Sequence, residues 1–267
     1  MRTTSNPAFK NLPTSGGHAN FNYAQGQAGG FGSPLGQSSA APTKTARPMT
    51  IDDVVTKTAI TLGLAVITGA VTYLAGPPAM ALALPALLVG FVLSLVIIFK
   101  KKPSPALVVA YSIVEGVFLG AISYAFAMAT GMGVGLVLNA ILGTVGVFAA
   151  MLVVYKTGAV RVTPKLTKWI IGAVAGVAIL MLVNLVASFF VAGGLGLREA
   201  GPLGIAFSLL CIGVAAFSFL LDFDAADHAI RSGVDSKFSW YIAFGLMTTL
   251  VWLYLEFLRL FAMFNQD

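Results

Sequence analysis

Charge is scarce in this sequence. Of its 267 residues only 10% are Asp, Glu, Lys or Arg, against about 25% in an average soluble domain, while 58% are hydrophobic. Most of the chain therefore cannot face water, and its solvent is expected to be lipid. Cysteine is reduced to Cys211, inside the apolar run from Pro202 to Leu221. That excludes an intrachain disulfide and any multi-cysteine metal or iron–sulfur site, and Cys211 reads as a small core residue. Histidine occurs only as His18 and His228, too few for a histidine-ligated catalytic metal. Neither Gly-x-Ser-x-Gly nor the Gly-x-Gly-Asp of aspartyl intramembrane proteases is present, so no enzyme activity and no cofactor are expected. The net charge is +6, but the basic residues stand at the ends of apolar runs rather than in one patch. That distribution sets membrane orientation and does not point to nucleic acid.

Residues 1 to 50 are rich in Gly, Ser, Ala, Asn, Gln and Pro, with scattered aromatics at Phe9, Phe21, Tyr23 and Phe31. Such a composition buries too little surface to offset its ordering entropy, and a disordered tail is expected there. It contains no apolar core of a cleaved signal, so the first membrane helix is expected to direct insertion. From residue 51 to 267 a single membrane domain is expected. Apolar segments of about 20 residues, the length that crosses a hydrocarbon core, fall at about 56 to 75, 79 to 99, 105 to 128, 133 to 154, 169 to 192, 202 to 222 and 239 to 262. Period-two alternation is absent, so an all-α bundle of seven transmembrane helices is expected. Counting Lys and Arg on alternate sides gives fourteen against two, which places the N-terminus and the even-numbered links in the cytoplasm. Small residues at Gly116 and Gly120, Gly143 and Gly146, and Gly172 and Gly176 suit close helix packing.

The chain has ten carboxylates. Asp52, Asp53, Glu199, Asp235 and Asp267 fall in the tail, links or terminus, where water accounts for them. Five remain. Glu115 lies near the middle of the third segment, where an ionised group costs about 3 kcal/mol; it faces the bundle interior, takes a proton or finds a partner. Asp222 ends the sixth apolar run and sits deeper than Asp224 and Asp227. Asp224, Asp227, His228 and Arg231 share one helix face running towards the surface, as an ion path or as an ordinary solvated helix end. Glu256 lies within the seventh run, and Arg259, three residues on, can pair with it.

Three stretches carry a resemblance: AYSIVEGVFLGAIS at 110 to 123, FSFLLDFDAADHAI at 217 to 230 and LYLEFLRLF at 253 to 261. Together, on the third, sixth and seventh segments, they resemble the Bax inhibitor-1/YccA-like family of membrane proteins over roughly residues 50 to 264. The resemblance implies six helices wrapped around a central seventh and, by analogy with bacterial members, a pH-sensitive Ca2+ leak. In those relatives an aspartate on helix six shares a proton with one on helix seven. Those positions match Asp222, with Asp224 as runner-up, and Glu256, which keeps a carboxylate one methylene longer. Arg259 stands where the family has Asn, a cation that would hold Glu256 ionised. A basic residue near the end of helix two corresponds to Lys100, Lys101 or Lys102.

The resemblance thus implies an ion path and pH sensor built from Asp222, Glu256, Glu115, Asp224, Asp227 and Arg259, with transient Ca2+ at Asp222 and Glu256. A coupled pair is needed because a free carboxyl titrates near pH 4. Desolvation or a like-charged neighbour moves such groups towards neutral pH. The alternative is a non-conducting regulator that binds a membrane protease or a stress-response partner. The expected setting is the plasma or inner membrane, with lipid, protons and Ca2+ as the remaining partners.

Overall fold

The structure, a computed structural model, describes residues 47–100, 104–191 and 193–265. Residues 1 to 46 of the expected tail, and Lys101 and Lys102 of the expected basic cluster, lie outside the described residues. Seven helices are long and apolar enough to cross a membrane: α1 (Ile51–Leu74), α2 (Ala83–Lys100), α3 (Pro105–Thr130), α4 (Val134–Thr157), α5 (Pro164–Ser188), α6 (Pro202–Arg231) and α7 (Ser239–Phe264). The protein is an all-α, multi-pass membrane protein. At 1.5 Å per residue even α2, with 18 residues, extends about 27 Å, close to the thickness of a hydrocarbon core.

Local chemistry sets the helix ends. Thr50 caps α1 in a reciprocal box: its hydroxyl accepts from the Asp53 N–H, and the Asp53 carboxylate accepts from the Thr50 N–H at 3.1 Å. Pro105, Pro164 and Pro202 open α3, α5 and α6, where a missing N–H leaves no bond unmade. Gly131 and Gly158 end α3 and α4 in the left-handed conformation, each at φ 69°. Four spans have boundaries that differ from the sequence expectation, the first beginning at Ile51 rather than near 56. The second span begins at Ala83 rather than near 79, because Gly76, Pro77 and Pro78 build a separate one-turn helix, Pro77–Met80. Thr163 caps α5 through the Leu166 N–H at 3.2 Å, so that span starts at Pro164 and ends at Ser188. The sixth runs on to Arg231, carrying the whole acidic stripe on a continuous helix.

Helix α7 is the most buried span and packs directly against α6, α4, α1 and α3, while α2 lies mainly on α3 and α5 on α6. The two largest apolar cores both include it. One joins Leu246, Leu250 and Leu253 to Ala215, Phe219 and Phe223 of α6 and to Met49 and Val54. The other joins Phe244, Met247 and Val251 to Ala65, Ile97, Val108 and Tyr111 of the first three helices. The outer faces expose Phe91, Leu142, Trp169, Phe189 and Phe190, as surfaces solvated by lipid tails do.

The tightest helix contact is between α1 and α3. A Cβ at Gly116 would run into the Ala65 carbonyl and the Thr68 hydroxyl, and one at Gly120 into the Gly69 carbonyl. Gly143 seats the ring of Phe257. Gly146, Gly172 and Gly176 meet nothing within 4 Å, so the small-residue contacts lie at Gly116, Gly120 and Gly143.

Residues 47 to 50, expected in the tail, are docked on the bundle. The Met49 N–H donates to the Val234 carbonyl at 2.8 Å and the Ser236 N–H to the Arg47 carbonyl at 2.9 Å, an antiparallel bridge of Pro48 with Asp235. Met49 is buried in the α6–α7 core. Lys57 holds the same link, donating to the Ser236 carbonyl at 2.8 Å and the Ser239 hydroxyl at 2.6 Å. The beginnings of α1 and α7 therefore share one face of the bundle, here termed the basic face.

Candidate functional site

Two polar layers cross the bundle at different depths. Glu115 lies ten residues into α3, Asp222 nine before the end of α6, and Thr248 and Thr249 nine and ten into α7. At 1.5 Å per residue all four stand about 14 to 15 Å from the basic face, near the middle of a core about 30 Å thick.

In this middle layer the half-buried Asp222 accepts a hydrogen bond from the Thr249 hydroxyl at 2.7 Å. Glu115 is 9% exposed and points at α2, where Gly90 makes room: a Cβ there would come within 3.1 Å of Glu115 Oε2. One turn earlier on the same face of α3 stands Tyr111. None of the ion pairs among the described residues includes Glu115 or Asp222. Neither acid is therefore paired with a cation, and Asp222 is held by a hydroxyl.

The second layer lies farther from the basic face. Glu256, 2% exposed, pairs with Arg259 at 2.7 Å. The Arg259 guanidinium also donates to the Ser208 hydroxyl on α6, at 2.8 Å from Nη2 and 3.3 Å from Nε. Ser208 donates in turn to Glu256 Oε2 at 3.4 Å. The half-exposed Arg198 approaches Glu256 Oε1 at 3.9 Å. Two guanidiniums thus surround one carboxylate, and α6 and α7 are cross-linked here by Ser208.

Asp222 and Glu256, the pair implied by the family resemblance, do not meet. Asp222 is level with Thr249, about 10 Å along α7 from Glu256, and Ser208 lies about 21 Å along α6 from Asp222. The crossing of α6 over α7 offers Asp222 a threonine, and Arg259, one turn beyond Glu256, takes its carboxylate. A Ca2+ site shared by Asp222 and Glu256 is not assembled. Among the described residues no three His, Cys, Asp or Glu side chains are grouped to hold a metal, and Ca2+ takes six to eight oxygen ligands.

Nearer the basic face, Asp227 and Arg231 form an exposed ion pair at 2.8 Å, and Asp224 and His228 are exposed. Tyr155 of α4 packs against Phe223, next to this stripe, with ring centroids 5.6 Å apart. The stripe has the form of a solvated helix end, and Lys100 is exposed at the end of α2.

Sequence reasoning missed Thr249, Gly90, Ser208 and Arg198 as site residues. Thr248-Thr249 had a signal, since two adjacent hydroxyls interrupt an otherwise apolar helix. Tyr111 sits four residues before Glu115, the spacing that places two side chains on one helix face. Ser208 had none, because its importance depends on which residue of α7 it meets.

The chain matches the family model described as Bax inhibitor 1 like over residues 6–266. No curated protein matches it.

Proposed function

The chain belongs to the Bax inhibitor 1 like family, and on that premise we propose that it provides a proton-sensitive leak for Ca2+ across the membrane that holds it. The observation that carries this reading is the middle layer: two membrane acids, Glu115 and Asp222, that meet no cation among the described residues, with Asp222 bonded by the Thr249 hydroxyl. A carboxyl inside an apolar span with no counter-charge beside it gains or loses a proton where it stands. Such groups have two states of different charge at one place in the bundle, which is what a proton-gated cation path requires. The sensing role falls to Asp222 and Glu115. Glu256, already neutralised by Arg259, anchors α6 to α7. Asp224 and Asp227 form the approach from the basic face.

The excess of Lys and Arg on the basic face supports placing it, with the N-terminus, in the cytoplasm of a cell whose plasma or inner membrane carries the protein. Ca2+ is the permeant ion in this reading, water supplies the protons, and no catalytic step is involved. The test is Ca2+ flux into liposomes holding the full chain, stepped between about pH 8 and 6, the window into which a desolvated carboxyl moves. Wild type leaks with a pH dependence that Asp222→Asn loses. Absence of flux at every pH would leave the second reading, a regulator acting through a protein partner. One observation favours that alternative: the root of the N-terminal segment is clasped to the α6–α7 link. A partner holding that segment would therefore sit beside the link. Pull-down with and without residues 1 to 46 separates the two readings.

A further inference from the structure

Helices α1 and α4 both pack on α3 and α7, and between them lies a cavity of about 300 Å³, at the lower end of the range of ligand pockets. Its mouth is formed by Val66 and Ala70 of α1 and by Ile141 and Val145 of α4, all exposed on the lipid-facing surface. Its floor is Gly120 of α3 with Leu250 and Val251 of α7, all buried. Small residues create the space: Ala65, Gly69 and Ala70 of α1 and Gly120 line it with no more than a methyl group each.

Depth places the cavity in one leaflet. Leu62 and Leu250 each lie eleven residues beyond the start of their helices, about 16 Å from the basic face and near the middle of the membrane. Tyr73, which also lines the cavity, is twenty-two residues into α1. It stands about 33 Å from that face, at the far boundary of a core about 30 Å thick. Tyrosine rings favour such a boundary, with the ring in hydrocarbon and the hydroxyl at the headgroups. Tyr73 is steadied there by an edge-on contact with Tyr124, centroids 5.6 Å apart.

The lining decides the ligand. The Thr144 hydroxyl bonds the Ala140 carbonyl at 2.8 Å, and Ser123 donates to the Leu119 carbonyl at 2.5 Å. Ser123 has one proton and has used it, so the Tyr254 hydroxyl donates to Ser123, at 2.7 Å. These hydroxyls are committed within the protein, and among the described residues no Asp, Glu, Lys or Arg lines the cavity. An ion or polar solute has no ligand set there. Water, which needs about two to four polar partners, does not fill an apolar cavity, and an empty one forfeits the dispersion contacts of its walls. Hydrocarbon satisfies both conditions, and the mouth is continuous with the surface that lipid already covers.

We propose that this cavity binds one acyl chain of a membrane lipid from the leaflet opposite the basic face. The chain enters sideways between α1 and α4 and lies with its headgroup end at Tyr73 and its methyl end at Leu62 and Leu250. It is the packing partner of α7 on the side that neither α1 nor α4 covers. The site is independent of the leak reading, since neither Glu115 nor Asp222 lines it.

The test is photo-crosslinking of the full chain in phosphatidylcholine vesicles. A small share of the phosphatidylcholine carries a diazirine on one acyl chain, either near the glycerol or at the methyl end, and adducts are located by mass spectrometry. The methyl-end probe labels Leu250 and Val251, which are 9% and 8% exposed and out of reach of lipid that only coats the surface. The glycerol-end probe labels Tyr73. Ala70→Phe and Val145→Phe narrow the mouth from either side; both lose the label at Leu250 and Val251 and keep the label at Phe91, an exposed residue of α2. Both substituted positions face lipid, and if one variant fails to fold the other decides. Label confined to Val66 and Ile141 at the mouth overturns the proposal. So does floor label that both variants leave unchanged, because the chain then enters elsewhere. Floor label from a diazirine-bearing free fatty acid that the phospholipid probe does not give also overturns it, and assigns the cavity to a single-chain amphiphile.

Discussion

Replacing Arg259 by methionine isolates the energetics of the outer layer. Glu256 is 2% exposed and Arg259 7%, so neither charge is relieved by water, and removing one strands the other. Breaking a buried pair from one side costs about 3 to 5 kcal/mol, whereas replacing both partners by uncharged groups of similar size is close to neutral. Here a second guanidinium stands by: Arg198, half exposed, is 3.9 Å from Glu256 Oε1. It moderates the loss in Arg259→Met to about 3 kcal/mol, and Arg198→Met combined with Arg259→Met brings the cost towards 5 kcal/mol. At roughly 2 to 4 °C per kcal/mol for a domain of this size, Arg259→Met lowers the unfolding midpoint by about 6 to 12 °C. Glu256→Gln combined with Arg259→Met recovers most of that. The assay is thermal unfolding in one detergent at one lipid-to-protein ratio, followed by tryptophan fluorescence. If Arg259→Met is as stable as wild type, or the double variant at Glu256 and Arg259 is no better than the single, the layer is not the closed ion pair described.

Gly116→Val drives a side chain into the α1 backbone at Ala65 and costs about 1 to 3 kcal/mol. Gly146→Ala, which meets nothing within 4 Å, is neutral or gains up to about 1 kcal/mol from helix propensity. Both are read by the same unfolding assay. Among the described residues Thr58 Oγ1 is the buried side-chain polar atom with no hydrogen-bond partner. Thr58→Val therefore raises stability by about 1 kcal/mol, and a lowered midpoint would show that the hydroxyl is used. Lys57→Met removes the bonds to Ser236 and Ser239 and speeds amide exchange at Met49 and Ser236 by roughly tenfold.

The seven spans were legible because burial in lipid leaves a signature in run length alone, and α2 and α5 are recognisable without knowing their neighbours. The boundary at Ala83 was less so, since two prolines after Gly76 read equally as a break or as the first turn of a helix. Glu115, Asp222 and Glu256 were legible as rare acids in apolar helices, and the Glu256–Arg259 contact follows from a spacing of three. Their partners across helices were not legible. Whether Asp222 meets Glu256 or Thr249 depends on how α6 and α7 slide past each other. A shift of two turns leaves every apolar residue apolar, so hydropathy does not register it. The clasp at Met49 was missed because four residues at the end of a polar segment look like the rest of that segment.

That clasp bears on how the protein is made. Synthesis delivers α1 to the membrane long before residues 234 to 236 exist, yet those residues supply the Met49 N–H with its acceptor and close the pocket over its side chain. Throughout insertion the first helix therefore waits with an unsecured entrance. A chain stalled or cut before the last link leaves Met49 uncovered at the membrane surface, while one that has threaded all seven helices hides it. The bridge at Pro48 and Asp235 thereby forms only once the last link is in place, and Met49 stays uncovered until then.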